Sequence, residues 1–140
     1  MMQLKFSALN QFAHLPIRKH DGDAGMDVTA CEKVEVKPFG RATIRTGLVC
    51  EIPKGYELQV RPRSGLAAKG IVAMFGTVDS GYRGEIGVTL ANLTEEPYIV
   101  NIGDRIAQLV LSPVSACRPI WGVVNEYTER GKGGFGSTGK

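Results

Sequence analysis

Apolar and polar positions alternate in short runs along most of this chain, and turn-forming residues break the runs every eight to twelve positions. In the stretch YELQV the apolar side chains Tyr56, Leu58 and Val60 fall at every second place, and Ile86, Val88 and Leu90 repeat the pattern in EIGVTL. A period of two puts one face of a strand on a core and the other outward. RATIRTGLVCEI, YIVNI and AQLVLSPV read as further strand regions. Pro38-Phe39-Gly40, Pro53-Lys54-Gly55, Thr94-Glu95-Glu96-Pro97 and Ile102-Gly103-Asp104 punctuate them. Many short strands at this spacing predict a sandwich or barrel-like all-β fold, not βαβ units. One helical turn interrupts the strands: Ser64 is expected to cap Gly65-Leu66-Ala67-Ala68-Lys69, and Gly70 to end it. The last eleven residues, Arg130 to Lys140, cannot build a core and are expected to stay mobile unless something binds them.

At 140 residues the chain fits one domain. Its 18 glycines are about twice the usual share of roughly 7%, which implies tight turns and backbone held against a ligand. A formal charge of +3 from 17 basic and 14 acidic side chains is too small a bias to name a nucleic-acid partner, though it suits a small polyanion. Cys31, Cys50 and Cys117 are odd in number and far apart, so reduced thiols in a cytoplasmic protein are the expectation. A nuclear or viral setting stays open. Neither a signal peptide nor a membrane-spanning run is expected.

Five stretches carry chemistry. Arg63-Ser64-Gly65 joins a guanidinium to the start of a helical turn, whose free N–H groups and serine hydroxyl can seat a phosphate; equally, Ser64 could simply cap while Arg63 faces solvent. Gly76 to Glu85 reads as a sharply bent hairpin that sets backbone polar groups against a flat ligand edge. Within it Asp79 could orient and deprotonate a water, and Tyr82 could lay its ring on a sugar; an Asx turn and a core ring are the alternatives. Gln108 sits among strand formers, where a buried amide needs partners, either a phosphate oxygen or the protein itself. Asp104 and Arg105 are expected to tie a turn or a subunit contact. Asp27, after Ala24-Gly25-Met26, could help hold hydrated Mg²⁺, an ion that keeps water and phosphate ligands beside one or two carboxylates. The ending Gly134-Phe135-Gly136-Ser137-Thr138-Gly139-Lys140 matches the opening of a P-loop, but no helix can follow it. Its glycine backbone, with Arg130, Ser137 and Thr138, could still wrap phosphates, and Phe135 could stack on a base. His14 and His20 have no nucleophile to pair with.

Taken in order, AGMDVTA, RPRSGLAAKG, GTVDSGYRGEIGV, NIGDRIAQLVL and RGKGGFGSTGK resemble the five motifs of the trimeric dUTPase family, spanning Ala24 to Lys140. The resemblance implies a distorted jelly-roll β barrel with one short helix and a flexible C-terminal arm. Residues 1–127 would form the barrel domain, and residues 128–140 an arm that closes a site on a neighbour in a homotrimer. It implies hydrolysis of dUTP to dUMP and pyrophosphate, with Asp79 holding the catalytic water and Asp27 reaching Mg²⁺ through water. Arg63, Ser64, Gly65 and Gln108 would meet the phosphates, Gly76 and nearby backbone the uracil, and Tyr82 the deoxyribose. Arg130, Phe135, Gly136, Ser137 and Thr138 would form the closing arm. No stable nucleic-acid or membrane partner is implied. Two positions depart from the family pattern: Met26 replaces an aromatic residue, and Gly81 often an acidic one. A dCTP deaminase-like enzyme on the same barrel, or a nucleotide-responsive regulatory protein, are the competing readings.

Overall fold

A computed structural model describes residues 2–139. Eleven strands and one five-residue helix follow one another along those residues. They are β1 (Lys5–Ala8), β2 (Met26–Thr29), β3 (Val34–Val36), β4 (Arg41–Arg45), β5 (Leu48–Glu51) and β6 (Tyr56–Arg61), then α1 (Ser64–Ala68). After the helix come β7 (Ile71–Ala73), β8 (Gly76–Val78), β9 (Gly87–Asn92), β10 (Tyr98–Val100) and β11 (Arg105–Pro113). Every strand pairing is antiparallel. The largest sheet runs β2-β11-β6-β8, a second runs β4-β9-β7, and the pairs β1-β5 and β10-β3 complete the barrel. The all-β architecture is the one the alternation predicts, and it takes the distorted jelly-roll form with a single short helix that the family resemblance implies. No helix among the described residues is long and apolar enough to cross a membrane.

The period of two becomes burial. Leu58 and Val60 of β6, Ile86 just before β9, and Val88 and Leu90 within it all point into one core, with Val28, Val36, Ile44, Val100, Ile106 and Leu109. Each such aliphatic side chain contributes about 1.5–3 kcal/mol by leaving water. Cys50 is buried here too, and burial holds its thiol above the ordinary value, in the protonated form. The run RATIRTGLVCEI divides into β4 and β5 at Thr46-Gly47, where Gly47 takes a left-handed φ of 70°. Asn92 is the one fully buried amide among the described residues. Its Nδ2 donates to the Val36 and Glu96 carbonyls (3.1 and 2.7 Å), and its Oδ1 accepts from Thr94, so nothing is left unpaired.

Two local expectations change. Ser64 is the first helical residue rather than the cap; extended Arg63 occupies the cap position, and no side chain bonds to the free N–H groups. The segment read as a hairpin is instead a crossover loop. β8 pairs with β6 and β9 with β4 and β7, so the chain passes from one sheet to the other between Asp79 and Ile86. The loop's end is bonded to the β4–β5 turn, away from β8.

Candidate active site

Across the large sheet, Asp27 of β2 pairs with Gln108 of β11, and Gln108 pairs with Arg61 of β6. Next along β6, Val60 pairs with Gly76 of β8. The ladder therefore sets Asp27 on the β2 edge with Gln108 beside it on inner β11, and the crossover loop leaves from the opposite, β8 edge.

In the first cluster, Arg63 Nε donates to Asp27 Oδ1 at 3.0 Å, and Arg105 Nη1 to Oδ2 at 3.5 Å. Asp27 is only 23% exposed and Arg63 26%, so the inner pair is sheltered from full solvent screening. Asp27 is held in place by main-chain bonds to Ile17, 2.8 and 3.1 Å, besides its ladder partner. Gln108 Nε2 donates to the Pro62 carbonyl at 3.0 Å, which pins the chain immediately before Arg63. The amide is thus satisfied within the protein by at least one of its N–H groups. Gly25 is required beside it, because a Cβ there would overlap Gln108 Oε1. Gly25, Asp27 and Gln108 line a cavity of about 250 Å³ together with Lys19 and Asp23. Ser64 and Gly65 open α1 beside Arg63, where first-turn N–H groups have no partner inside the helix. Asp104 and Arg105 do not serve one another. Asp104 accepts from the Asn101 N–H and closes a turn, whereas Arg105 turns to Asp27.

The second cluster surrounds a cavity of about 220 Å³ lined by Val60, Gly76, Asp79, Tyr82, Glu85 and their neighbours. Gly76 lies flat against β6: a Cβ there would stand 3.3 Å from Val60 Cβ. A turn with Tyr82 N–H bonded to the Asp79 carbonyl (3.0 Å) leaves the Asp79 carboxylate exposed at the cavity. The Tyr82 ring is half exposed, not in the core, and its hydroxyl donates to the Glu85 carbonyl at 2.8 Å. Arg83 bonds the Ser80 and Tyr82 carbonyls (2.8 and 3.1 Å) and closes the tip. Gly81 meets nothing within 4 Å, so a Cβ there would enter open space. Met26 packs half-buried against the core opposite Leu109.

The arm residues stand apart from both cavities. Arg130 Nε donates to the Gly133 carbonyl (2.8 Å), Ser137 N–H to the Gly134 carbonyl (3.0 Å), and Phe135 and Gly136 take left-handed φ values of 52° and 82°. Phe135 is fully exposed and Thr138 exposed; Lys140 lies outside the described residues. One chain therefore brings together Asp27, Arg63 and Gln108, and separately Gly76, Asp79 and Tyr82, but not the arm with either. Sequence reasoning missed Glu85, Thr46 and the contact of the Arg105 guanidinium with Asp27. A signal was present only for Glu85, an acidic residue directly after the glycine-rich loop.

The likenesses to known proteins agree with this geometry. A family model for dUTPase matches residues 11–139. The chain is 45% identical over 141 residues to the deoxyuridine 5'-triphosphate nucleotidohydrolase of Clostridium novyi, covering 99% of both proteins. It is 52% identical over 132 residues to that of Desulfotalea psychrophila, covering 89% of this chain and 87% of the relative. Among solved structures, a Staphylococcus bacteriophage 80alpha dUTPase with dUPNHPP superposes with a TM-score of 0.86 at 30% identity, covering 100% of each chain. The family model and relatives at 45% and 52% identity cover nearly the whole chain, and the chain belongs to the dUTPase family.

Proposed function

We propose that this chain hydrolyses dUTP to dUMP and pyrophosphate by in-line attack of water on the α-phosphorus, with Asp79 holding and deprotonating that water. The carrying observation is the 220 Å³ cavity, which collects Gly76, Asp79 and Tyr82 at the β8 edge of the sheet that carries Asp27 on its β2 edge, Gln108 on inner β11 and Arg63 just beyond inner β6. Main-chain groups about Gly76 read the uracil edge and leave no room for a 5-methyl group. Tyr82 lies against C2′ and excludes a ribose hydroxyl by contact and by leaving it unpaired. Arg63, with the Ser64 hydroxyl and the free N–H groups of Ser64 and Gly65, takes the phosphates beside Gln108, and these preset donors stabilise charge as it develops.

Asp27 suits Mg²⁺ in one respect only. Both its oxygens accept from arginines, and no group of three His, Cys, Asp or Glu side chains gathers among the described residues. That donor set fits an ion kept by water and triphosphate oxygens and touched by the protein through water. When bound, Mg²⁺ supplies positive charge to the phosphate oxygens. Asp27 itself orients Arg63.

The two clusters and the arm meet when three copies assemble. Beyond Pro113 no strand continues, and Ile120, Trp121, Val123, Val124 and Tyr127 all face solvent on a single chain. Apolar exposure of this kind marks a surface for another chain. The segment after β11 crosses to a neighbour in a homotrimer, and Arg130, Phe135, Gly136, Ser137 and Thr138 close the neighbour's site over its nucleotide, expelling water.

A pyrophosphate-release assay with Mg²⁺ and dUTP, dTTP, dCTP or UTP tests the reading. Turnover of dUTP alone is expected; ammonia release from dCTP would instead place the chain among deaminases. Asp79→Asn should retain dUTP binding by calorimetry while turnover falls by roughly 10²–10⁴, and near-normal turnover would remove Asp79 from its role.

A further inference from the structure

The Tyr82 hydroxyl is fastened to the end of the crossover loop that is bonded to the β4–β5 turn. Its acceptor is the Glu85 carbonyl at 2.8 Å. The Glu85 side chain, 23% exposed, receives Arg45 Nε on both oxygens (3.1 and 3.2 Å) and the Gly47 N–H on Oε2 (2.9 Å). The next residue is zipped to the same turn. Fully buried Thr46 donates its hydroxyl to the Ile86 carbonyl at 2.6 Å, and Ile86 N–H donates to the Leu48 carbonyl at 2.8 Å. From the other side the ring rests on Gly84, where a Cβ would come within 2.5 Å of Tyr82 Cζ. The hydrogen bond to Glu85, and then its charge, raise the Arg45 pKa.

We propose that Glu85 is a positioning residue for sugar discrimination: docked on Arg45 and the Gly47 N–H, it fixes the carbonyl that holds the Tyr82 hydroxyl and so sets where the ring stands against C2′. This rests on the reading of Tyr82 as the sugar's neighbour. Glu85 lines the cavity, yet both its oxygens are taken by the β4–β5 turn, so its effect passes through Tyr82. A ring displaced by a fraction of an ångström opens space for a hydroxyl, and rejection of an added group by contact is sensitive to such displacement.

The test is kcat/KM for dUTP and for UTP in the full-length protein and in Glu85→Ala, Glu85→Gln, Gly84→Ala and Arg45→Ala, with melting temperatures recorded in parallel. Glu85→Ala and Gly84→Ala should lower the dUTP:UTP ratio roughly tenfold, the first by freeing the carbonyl and the second by pushing the ring. Glu85→Gln, whose amide oxygen can still accept from Gly47, should fall between. Arg45→Ala alters nothing in the loop itself, and it should lower the ratio while dUTP turnover stays within about threefold. If the Glu85 variants do not fold, Arg45→Ala decides the matter alone. A simple loss of stability would lower both substrates together and leave the ratio unmoved. Should the unaltered protein discriminate while Arg45→Ala and every folded Glu85 variant keep its ratio within about twofold, the positioning role is wrong and the Tyr82 reading survives. An unaltered protein that turns over UTP as well as dUTP would overturn both.

Discussion

Single side chains here do two kinds of work, and the kind follows from what already occupies their polar atoms. Asp79 keeps its carboxylate exposed, with only its carbonyl engaged in the turn to Tyr82, and so remains free for a water. Asp27 is claimed on both oxygens by Arg63 and Arg105. Ser64 separates two roles that a capping serine would confuse. Because no side-chain cap bond exists at α1, Ser64→Ala should change unfolding free energy by less than about 0.5 kcal/mol. A lost hydroxyl bond to a charged phosphate is worth about 1.5–3 kcal/mol, so KM for dUTP should rise roughly tenfold or more. Denaturant melts and steady-state kinetics on the same sample check both halves. A large drop in stability with an unchanged KM would return Ser64 to a structural role.

At the level of elements, the crossover loop between β8 and β9 owes its shape to the β4–β5 turn more than to its own glycines. Thr46 is the buried hinge pin of that contact: its hydroxyl donates to Ile86 and accepts from the Leu48 N–H at 3.2 Å. Thr46→Val keeps the volume and strands both partners, at a cost of about 1–3 kcal/mol for unpaired buried groups. Urea unfolding should show that loss as a lower midpoint with an unchanged slope. Turnover at saturating dUTP should fall as well, since the loop end that carries Tyr82 loosens. A midpoint like that of the unaltered protein would mean water replaces the hydroxyl without loss. The hydrophobic alternation in β6 and β9 survives such a change, because it is secured by core burial and not by the turn.

At the scale of the whole molecule, the barrel encloses an aliphatic core yet leaves Leu15, Ile17, Phe75 and Leu93 exposed, and the stretch from Val114 to Tyr127 leaves a tryptophan and several branched residues in water. Two truncations should therefore differ. If the proposed assembly and arm role hold, ending the chain after Glu129 should leave self-association unchanged while kcat drops by roughly 10² or more. Ending it after Pro113 also removes the apolar crossing segment, and should yield a monomer by sedimentation or light scattering. A trimer that persisted without residues 114–140 would show that other surfaces hold the copies together. Unimpaired catalysis in the shorter deletion would deny the arm its closing role.

Strand existence, core-facing positions and turn sites were legible in the sequence because they depend on neighbours two or four residues apart. Leu58 and Val60, or Val88 and Leu90, had no other way to leave water together. The grouping of Asp79 with Tyr82 was legible too, since three residues of chain hold them close. Tertiary structure decided what depends on distant partners. It made a crossover of the apparent hairpin, gave Arg63 the cap position, turned Arg105 to Asp27 rather than Asp104, and bound Glu85 to a turn 38 residues earlier. Hydrogen bonds between groups far apart in sequence follow from which strands pair. Local periodicity sets only the face each strand presents, and several pairings satisfy the same faces. The sheet order chosen by the folded core is what brings those distant groups within reach.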